Sequence, residues 1–351
     1  MSVPTICSDW RTKRELKDIN ASVQKMKFRE RIKKDLDFRT AIVRLIVAAV
    51  AFFVIAALAL LQFFYPFRTL LPAYALPERK EGEMRFHFLD VGQGDCSIVE
   101  FPDGAVVMVD SGLSEWRIEN RVTRYLKSLR PTAFSLVVTH ADIDHYGNAL
   151  AVLDDFKVDA LYLPAVASET EDYARIISLA EGKGVPMSAF TRYTVLSSGG
   201  AYGVCLAPYA EGETDENEAS AVVYFEYAGV GAVLCGDVGA AREELLAREY
   251  ALFNGIFDSG DASVRLERTE ILKVAHHGSG GASSREWLEL LSPSVSIISC
   301  GKGNRYGHPA SDALTRIAAC GSEIYRTDEL GDIMVTISKD GTFKAEYGYL
   351  K

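Results

Sequence analysis

The longest apolar run of the chain lies close to its N-terminus. Leu45 to Tyr65 contains no charged residue, and about 20 apolar residues in a helix span the hydrocarbon core of a bilayer. A buried core helix of this length normally keeps a polar face. The pattern therefore predicts a single transmembrane helix over residues 45–65.

The segment before this run is basic. Residues 1–44 carry 12 Lys and Arg against 6 Asp and Glu, which places the N-terminus in the cytoplasm and exports the rest of the chain. A cleaved signal peptide is the rival interpretation, because Ala73-Tyr74-Ala75 resembles a cleavage site. The leading segment is long and highly charged for a signal peptide, which favours an uncleaved, single-pass anchor in the cell membrane.

Apolar residues also recur at three- and four-residue spacing within the basic segment, which predicts an amphipathic helix. This helix has two alternative roles, lying on the anionic inner leaflet or pairing with a partner helix. A solvated basic stretch that only sets the orientation is the third alternative. The positions are Leu16, Ile19, Val23, Met26, Ile32 and Leu36.

A linker over residues 66–83 contains Pro66, Pro72 and Pro77, and the folded body is expected over 84–351. Short β-rich runs alternate with helical segments along the body, which predicts an α/β domain or a layered αββα domain. Strands are expected at 85–89, 97–101, 105–109, 135–139, 222–227, 231–234, 270–275, 295–299 and 332–337. Helices are expected at 117–129 and near 146–154, 170–181, 239–249, 284–291 and 310–319.

Composition adds two constraints. Hydrophobic residues make up 48% of the chain and charged residues 25%, as in an ordinary folded protein. Residues 45–351 carry 26 Lys and Arg against 42 Asp and Glu, so the body is acidic. The six cysteines form no CxxC pair, which indicates buried apolar residues rather than a disulfide or zinc framework.

The most informative local sequence is an apolar strand followed by four polar side chains that bind metals. His140, Asp142, Asp144 and His145 come directly after Val137-Val138-Thr139. Such a group is costly at a strand end unless a metal or water satisfies its lone pairs. Helix capping is the structural alternative, but it explains one Asp and not the whole group.

Two further apolar strands end in similar side chains. Asp237 follows Val233-Leu234-Cys235-Gly236, and His276 and His277 follow a strand that begins near Glu270. Each strand end taken alone is equally compatible with a satisfied polar residue. Together, the three strand ends predict a site for one or two divalent metal ions.

The ordered motifs of the body resemble the metallo-β-lactamase superfamily. They are LDVGQGD at 89–95, VDSG at 109–112, HADIDH at 140–145, GD at 236–237, HHGS at 276–279 and NRYGHP at 304–309. The branch at the C-terminus of the competence protein ComEC is especially similar, and the likeness covers Met84 to Tyr347. It implies a four-layer αββα sandwich, here behind one transmembrane helix. ComEC proteins have many membrane helices, so transport is not carried over.

The resemblance also implies roles for the polar side chains. His140 and Asp142 correspond to a first metal position, Asp144, His145 and one of His276 or His277 to a second, and Asp237 to a bridge between them. Most of the superfamily has histidine in place of Asp142 and a further histidine near Asn217. The first position is therefore richer in oxygen here, which shifts the expectation from two zinc ions toward manganese or one tightly held metal, with zinc still an alternative.

Several residues are candidates beyond the metal ligands. Asp144 is expected to orient the attacking water, and His308 to protonate a leaving group or contact a phosphate, with a structural role as the alternative. Ser279 is expected to hold an oxyanion or a phosphate or, alternatively, only to form a turn. Asp90, Asp95 and Asp110 are expected to order loops or support the ligands, and Asn217 to support the site or contact phosphate.

Three functions are compatible with this pattern. The first is a membrane-anchored, metal-dependent phosphodiesterase or nuclease, acting outside the cytoplasm on DNA or another phosphodiester. The acidic body of this chain lacks the basic surface of most DNA-binding proteins. Lys273, Arg285, Lys302 and Arg305 are candidates for a local basic track around the site. The second is a hydrolase of a small acyl, lactone or phosphoester substrate. The third is a binding module with a decayed metal site. Protein partners are not predicted.

Overall fold

The structure is a computed structural model that describes residues 9–64, 73–208, 215–252, 257–259 and 262–348. Two compact units make up the chain, residues 1–67 and 68–351. Part of the predicted linker, including Pro66 and Pro72, lies outside the described residues, as does Cys7. Cys96, Cys205, Cys235 and Cys300 are buried free thiols, as expected for small apolar residues.

The N-terminal unit contains one continuous helix, α1 (Asp9–Phe64). At 1.5 Å per residue it is about 84 Å long, and it contains a stretch long and apolar enough to cross a membrane. The basic segment and the apolar run therefore share one helix. At about 100° per residue, Leu16 and Val23 point to one side while Ile32 and Leu36 point to the other. The first half thus lacks the single apolar stripe expected of an amphipathic helix.

The C-terminal unit contains a first sheet of eight strands, in the order β17-β16-β1-β2-β3-β4-β5-β6. β3 and β4 are parallel neighbours, so their carboxyl ends meet at one edge of the sheet. The strands are β1 (Met84–Phe88), β2 (Ser97–Glu100), β3 (Val106–Val109), β4 (Phe134–Val137), β5 (Ala160–Leu163), β6 (Met187–Ala189), β16 (Ile333–Ile337) and β17 (Phe343–Tyr347).

A second sheet of seven strands has the order β15-β14-β13-β10-β9-β8-β7. β10 and β13 are parallel neighbours as well. The strands are β7 (Val195–Ser198), β8 (Ala201–Ala207), β9 (Val222–Tyr227), β10 (Val230–Leu234), β13 (Thr269–Lys273), β14 (Val295–Ile298) and β15 (Glu323–Arg326). β11 (Phe257–Ser259) and β12 (Ala262–Val264) form a separate hairpin.

Most helices of this unit cover the outer faces of the two sheets, while Leu330 of the last helix packs against the core between the sheets. They are α2 (Trp116–Leu129), α3 (Ile143–Tyr146), α4 (Ala149–Asp155), α5 (Glu171–Lys183), α6 (Ala240–Leu252), α7 (Arg285–Leu291), α8 (Ser311–Ala319) and α9 (Thr327–Leu330). One apolar core, with Phe86 and Phe225, lies between the sheets. Two others join the first sheet to α2, α4 and α5 and the second sheet to α6, α7 and α8. The predicted αββα architecture is confirmed.

Candidate metal centre

The first side of the centre is built at the carboxyl ends of β3 and β4. Asp110, just after β3, accepts hydrogen bonds from the Thr139 backbone nitrogen at 2.8 Å and the Thr139 hydroxyl at 2.7 Å. The second oxygen of Asp110 lies 2.8 Å from Nδ1 of His145. A carboxylate partner at Nδ1 leaves Nε2 free to bind a metal. Asp110 therefore orients the His145 ring.

The second side is built at the carboxyl ends of β10 and β13. Asp237 donates its backbone N–H to the Ser220 hydroxyl at 3.1 Å. His276 and His277 both have positive φ values, 49° and 53°, which are uncommon for residues other than glycine and carry strain. This turn brings Nε2 of His277 to 3.3 Å from Asp144 and 3.5 Å from Asp237.

Several buried polar atoms converge between the two sides and have no hydrogen-bond partner among the residues that the structure describes. They are Nε2 of His140, His145 and His277 and Oδ1 of Asp237. Among the described residues, four groups of three have ligand atoms within 4.8 Å of one another. They are His140 with His145 and Asp237, Asp144 with His145 and His277, Asp95 with Asp110 and His145, and Asp95 with Asp237 and His277. Buried polar atoms without partners are costly, and these donors are the ones that divalent metals bind. The residues therefore fit a divalent metal ion.

The centre has two parts, a deep position and an outer position. The deep position is the group Asp144, His145 and His277, in which both imidazoles are buried. The outer position is the pair His140 and Asp142, whose Nε2 and Oδ2 atoms are 3.7 Å apart, with the Asp142 side chain 46% exposed. Asp237 lies between them, because its Oδ1 is 3.3 Å from His145 of the deep position and a carboxylate oxygen of Asp237 is within 4.8 Å of a ring nitrogen of His140.

The charges of the deep position are strongly coupled. Burial lowers the pKa of His277, but Asp237 and Asp95 outweigh it and raise that pKa to about 10. Burial also lowers the pKa of His145, but Asp237 and Asp110 outweigh burial and raise that pKa well above its ordinary value. Burial raises the pKa of Asp237, yet His277 and His145 hold it well below its usual range. Without metal, the deep position is therefore a buried set of ion pairs.

The two adjacent histidines differ in burial and contacts. Nδ1 of His277 lies 2.9 Å from the Ser299 carbonyl oxygen, and its side chain is 2% exposed. His276 is about one third exposed, and its Nε2 is 3.8 Å from Asp237. Because a carbonyl partner at Nδ1 orients a metal-binding imidazole, the geometry favours His277 as the ligand.

Asp95 lies behind the deep position and forms a buried ion pair with Lys273. The Lys273 Nζ is 2.8 Å from Asp95 Oδ2, and the Asp95 backbone nitrogen donates to the Asp144 carbonyl at 3.2 Å. Asp95 therefore supports the loop that carries Asp144. The expected role of Lys273 in a basic surface track is wrong, because this side chain is fully buried in the ion pair. No local sequence pattern indicates that Asp95 is the partner of Lys273.

Asp90, Asn217 and Ser279 have local structural contacts. Asp90 accepts the Gly92 N–H at 3.2 Å and donates its own N–H to Asp332, which fastens this loop to the start of β16. The Asn217 carbonyl accepts the Ser220 N–H at 2.9 Å within a turn. The Ser279 hydroxyl accepts the Gly281 N–H at 3.3 Å, which matches the turn that was the alternative for this residue.

His308 lies at the mouth of the centre in a short aromatic stack. Its ring is 6.3 Å from that of His277 and 5.8 Å from that of Tyr306, with interplanar angles of 29° and 27°. The Asn304 side chain accepts the backbone N–H of both Tyr306 and His308. Burial, His276 and His277 together lower the pKa of His308. Sequence analysis did not identify Tyr306, which is 55% exposed.

Comparisons with known proteins agree with this architecture. The family model of the metallo-beta-lactamase superfamily matches residues 89–302. The ComE operon protein 3 of Bacillus subtilis is 30% identical over 285 residues, which cover 75% of this chain and 34% of that protein. The Recombination protein 2 of Haemophilus influenzae is 25% identical over 259 residues, which cover 72% of this chain and 29% of that protein. The chain thus spans about a third of the length of these curated relatives.

Among solved structures, the metallo-beta-lactamase fold protein YhfI from Bacillus subtilis aligns with 76% of this chain and 100% of its own. The identity is 11% and the TM-score is 0.44.

Proposed function

Because this chain belongs to the metallo-β-lactamase superfamily, we propose that it is a membrane-anchored, metal-dependent phosphodiester hydrolase. The observation that carries the proposal is the convergence of three buried imidazole nitrogens and Asp237 without hydrogen-bond partners among the described residues. The substrate class is supported by the relative named Recombination protein 2, because recombination is a process that acts on DNA.

The proposed reaction assigns a separate task to each part of the centre. A bound divalent metal lowers the pKa of water toward neutrality and polarises the phosphoryl oxygen under attack. His140, Asp142, Asp144, His145, Asp237 and His277 hold the metal. Asp144 is partly exposed, so it also accepts a hydrogen bond from the attacking water and orients it. Asp110 holds His145 in the tautomer that leaves Nε2 free.

His308 is proposed to act on the leaving group or on a phosphoryl oxygen. Its ring is beside His277 but outside the metal ligands, and its Nδ1 is buried without a hydrogen-bond partner in the described part of the chain. His308→Ala is expected to leave metal content unchanged and to lower turnover about 100-fold on diesters with poor leaving groups. A smaller loss on p-nitrophenyl diesters indicates leaving-group protonation, whereas an equal rise in KM for all substrates indicates phosphate binding. Wild-type kinetics on both substrates would make the residue structural.

The metal-dependent activity is testable on the full-length protein in detergent. We expect metal-stripped protein to be inactive and to regain hydrolysis of bis-p-nitrophenyl phosphate and single-stranded DNA with manganese or zinc. A lactone and an acyl ester are the matched substrates for the alternative chemistry. Hydrolysis of these two without any diester hydrolysis contradicts the phosphodiesterase proposal.

The proposed orientation has the N-terminus in the cytoplasm and the catalytic unit outside it. It rests on the basic residues that precede the apolar part of α1. Alkaline phosphatase fused to the C-terminus is expected to be active and to stay with the membrane fraction. An inactive fusion contradicts the orientation, and release of active fusion into the medium indicates cleavage near Ala75.

A further inference from the structure

The second sheet contains a lysine on its buried inner face. Lys273 is the last residue of β13, which lies between β10 and β14, and its side chain is 2% exposed. Side chains two residues apart in a strand share a face, so Lys273 lies on the same face as Ile271, which packs in the core between the sheets. An ammonium group is costly in such surroundings unless it is paired.

The Lys273 ammonium group links the second sheet to the first. Its Nζ donates to Asp95 Oδ2 at 2.8 Å and to the Val274 carbonyl at 3.0 Å. Asp95 lies in the loop between β1 and β2 of the first sheet, whereas Val274 leads from β13 into the turn that contains His276 and His277. One cation therefore holds a loop of the first sheet against the strand end of the second sheet that carries a metal ligand.

Asp95 also contacts two residues of the deep position. Its backbone nitrogen donates to the Asp144 carbonyl at 3.2 Å. Its Oδ1 is 3.6 Å from Nδ1 of His277, beside the shorter contact of that nitrogen with the Ser299 carbonyl. Because Nε2 of the same ring faces Asp144 and Asp237, Asp95 lies behind the imidazole and not among the metal ligands. A carboxylate behind a metal-binding imidazole orients the ring and strengthens its donor nitrogen.

The backbone next to Asp95 packs tightly against the loop that carries Asp144. Gly94 has a φ of 151°, and a Cβ atom on it would lie 2.5 Å from the Asp144 carbonyl oxygen. Glycine adopts this conformation without a steric penalty and permits such a close approach of two backbones. A displacement of Asp95 is therefore transmitted to Asp144 through the backbone as well as to His277 through the side chain.

We infer that Lys273 is a positioning residue of the metal centre, which acts through Asp95 to hold the deep position in its metal-binding geometry. This inference rests on the proposed metal-dependent function and names a residue on which that function depends. Lys273 holds Oδ2 of Asp95, which directs Oδ1 toward His277. The same ammonium group holds the backbone that leads into the histidine turn. Without this cation, the separation of Asp144 and His277 is no longer fixed.

The test separates a positioning role from a purely structural ion pair in the full-length protein in detergent. Lys273→Met removes the charge and keeps a long side chain, and Asp95→Asn neutralises the partner at nearly constant size. The double variant carries both changes and leaves neither charge without its partner. Arg192→Met is the matched control, because it removes an ion pair of low exposure, 2.7 Å from Glu249, that joins the loop before β7 to α6.

Three measurements are made on each protein. The melting temperature of the metal-free form measures the structural effect, and calorimetric titration with manganese measures the affinity for the tighter ion. The visible spectrum of bound cobalt measures ligand geometry, which a purely structural ion pair leaves unchanged in folded protein. We expect Lys273→Met and Asp95→Asn to bind the tighter manganese ion about 10- to 100-fold more weakly and to alter the cobalt spectrum. Arg192→Met is expected to keep the wild-type affinity and spectrum.

The double variant distinguishes the two roles most sharply. Its melting temperature is expected to recover toward the wild-type value, because removal of both partners leaves no uncompensated buried charge. Its manganese affinity is expected to stay low, because neither the cation nor the carboxylate behind His277 is restored. Manganese affinity that recovers together with the melting temperature, or wild-type affinity and cobalt spectrum in folded Lys273→Met, would overturn the inference. If Lys273→Met does not fold, Asp95→Asn and the double variant decide by the same measurements.

Hydrolysis of bis-p-nitrophenyl phosphate is recorded in parallel. Wild-type protein that binds manganese but hydrolyses no diester contradicts the proposed function and leaves the role of Lys273 intact. Diester hydrolysis by the wild type, combined with unchanged manganese affinity in the Lys273 and Asp95 variants, supports the proposed function and contradicts the positioning role.

Discussion

The two positions of the candidate metal centre differ in their surroundings. In the deep position, His145 and His277 are fully buried and each imidazole has a polar partner at Nδ1, Asp110 or the Ser299 carbonyl. In the outer position, His140 is buried but the Asp142 side chain is 46% exposed. The deep position is thus formed by buried side chains with fixed partners, whereas the outer position includes a side chain at the surface.

This difference predicts different behaviour toward metal and protons. The deep position is preorganised, and without metal its imidazoles carry protons because carboxylates surround them. The outer position has one carboxylate, and the nearby His140 lowers the pKa of Asp142 despite burial. A metal must therefore displace protons in the deep position, but in the outer position it mainly neutralises negative charge.

Asp237→Ala is expected to have the largest effect, because Asp237 contacts both positions. The variant should lose bound metal at both positions, and its metal-free form should lose about 3–5 kcal/mol of unfolding free energy, since two buried imidazoles lose a charged partner. Asp142→Ala is the matched comparison and should lose metal at the outer position only, with little change in unfolding free energy. Metal analysis and chemical unfolding measure both effects. Full metal occupancy in Asp237→Ala would contradict the shared role of this carboxylate.

Metal affinity of the deep position is expected to rise with pH. His277 has a raised pKa of about 10, so at pH 7 it is protonated, and each proton displaced by metal changes the apparent affinity about tenfold per pH unit. In metal-free protein the same raised pKa stabilises the fold below the ordinary histidine pKa, and this contribution disappears as pH rises toward 10.

Calorimetric titrations with manganese in buffers of different ionisation enthalpy measure the number of protons released. We expect release of about one proton or more at pH 7 from the deep position and none from Asp142. Absence of any buffer dependence for the tighter metal would show that His277 is neutral before binding.

Asp110→Asn is expected to weaken the deep position without removing a ligand. Asparagine keeps the size of the side chain but loses the charge that faces Nδ1 of His145, and such partners typically change metal affinity 10- to 100-fold. Asp90→Asn is the control, because Asp90 is in the neighbouring loop and its hydrogen bonds are to Gly92 and Asp332. Equal metal affinity in both variants would mean that Asp110 only supports the loop.

The sequence predicted the parts of the fold that have strong local signals. β9 was predicted with the bounds observed, and the strands that carry the centre were predicted within one or two residues. β5, β6, β15 and β17 were missed because they are short or partly exposed strands near sheet edges, where pairing comes from distant segments. The β7–β8 hairpin was predictable from the pair Gly199-Gly200, because two adjacent glycines are typical of a tight hairpin turn. Both glycines have positive φ in the structure.

The candidate site was predicted to a similar extent and for similar reasons. His140, His145, Asp237 and His277 stand at strand ends, so topology alone brings them together. Lys273 was misjudged because its partner Asp95 is 178 residues away in the chain, and no local pattern reveals that contact. Tyr306 faces His308 only because the Asn304 side chain fixes the conformation of their loop, and no sequence pattern indicated that conformation.

The smallest predicted effect is that of substituting Tyr306, which tests from which side a substrate enters the metal centre. The Tyr306 ring stacks on His308, which stacks on His277 of the deep position, and the Arg305 guanidinium is 4.9 Å from the centre of the Tyr306 ring. Exposed aromatic rings beside basic groups stack nucleobases, at about 1–3 kcal/mol per base. If a nucleic acid enters over the deep position, Tyr306→Ala should raise KM for a short single-stranded oligonucleotide about tenfold, while Tyr306→Phe should retain the wild-type value.

Bis-p-nitrophenyl phosphate provides the internal control for this prediction. It is a small diester without a nucleobase, so its KM should be the same in wild type and Tyr306→Ala, and metal content should not change. A parallel rise in KM for both substrates would instead indicate that the loss of Tyr306 displaces His308. An unchanged oligonucleotide KM in Tyr306→Ala would place the entry of the substrate on the side of Asp142, because the stack over the deep position would then have no part in binding.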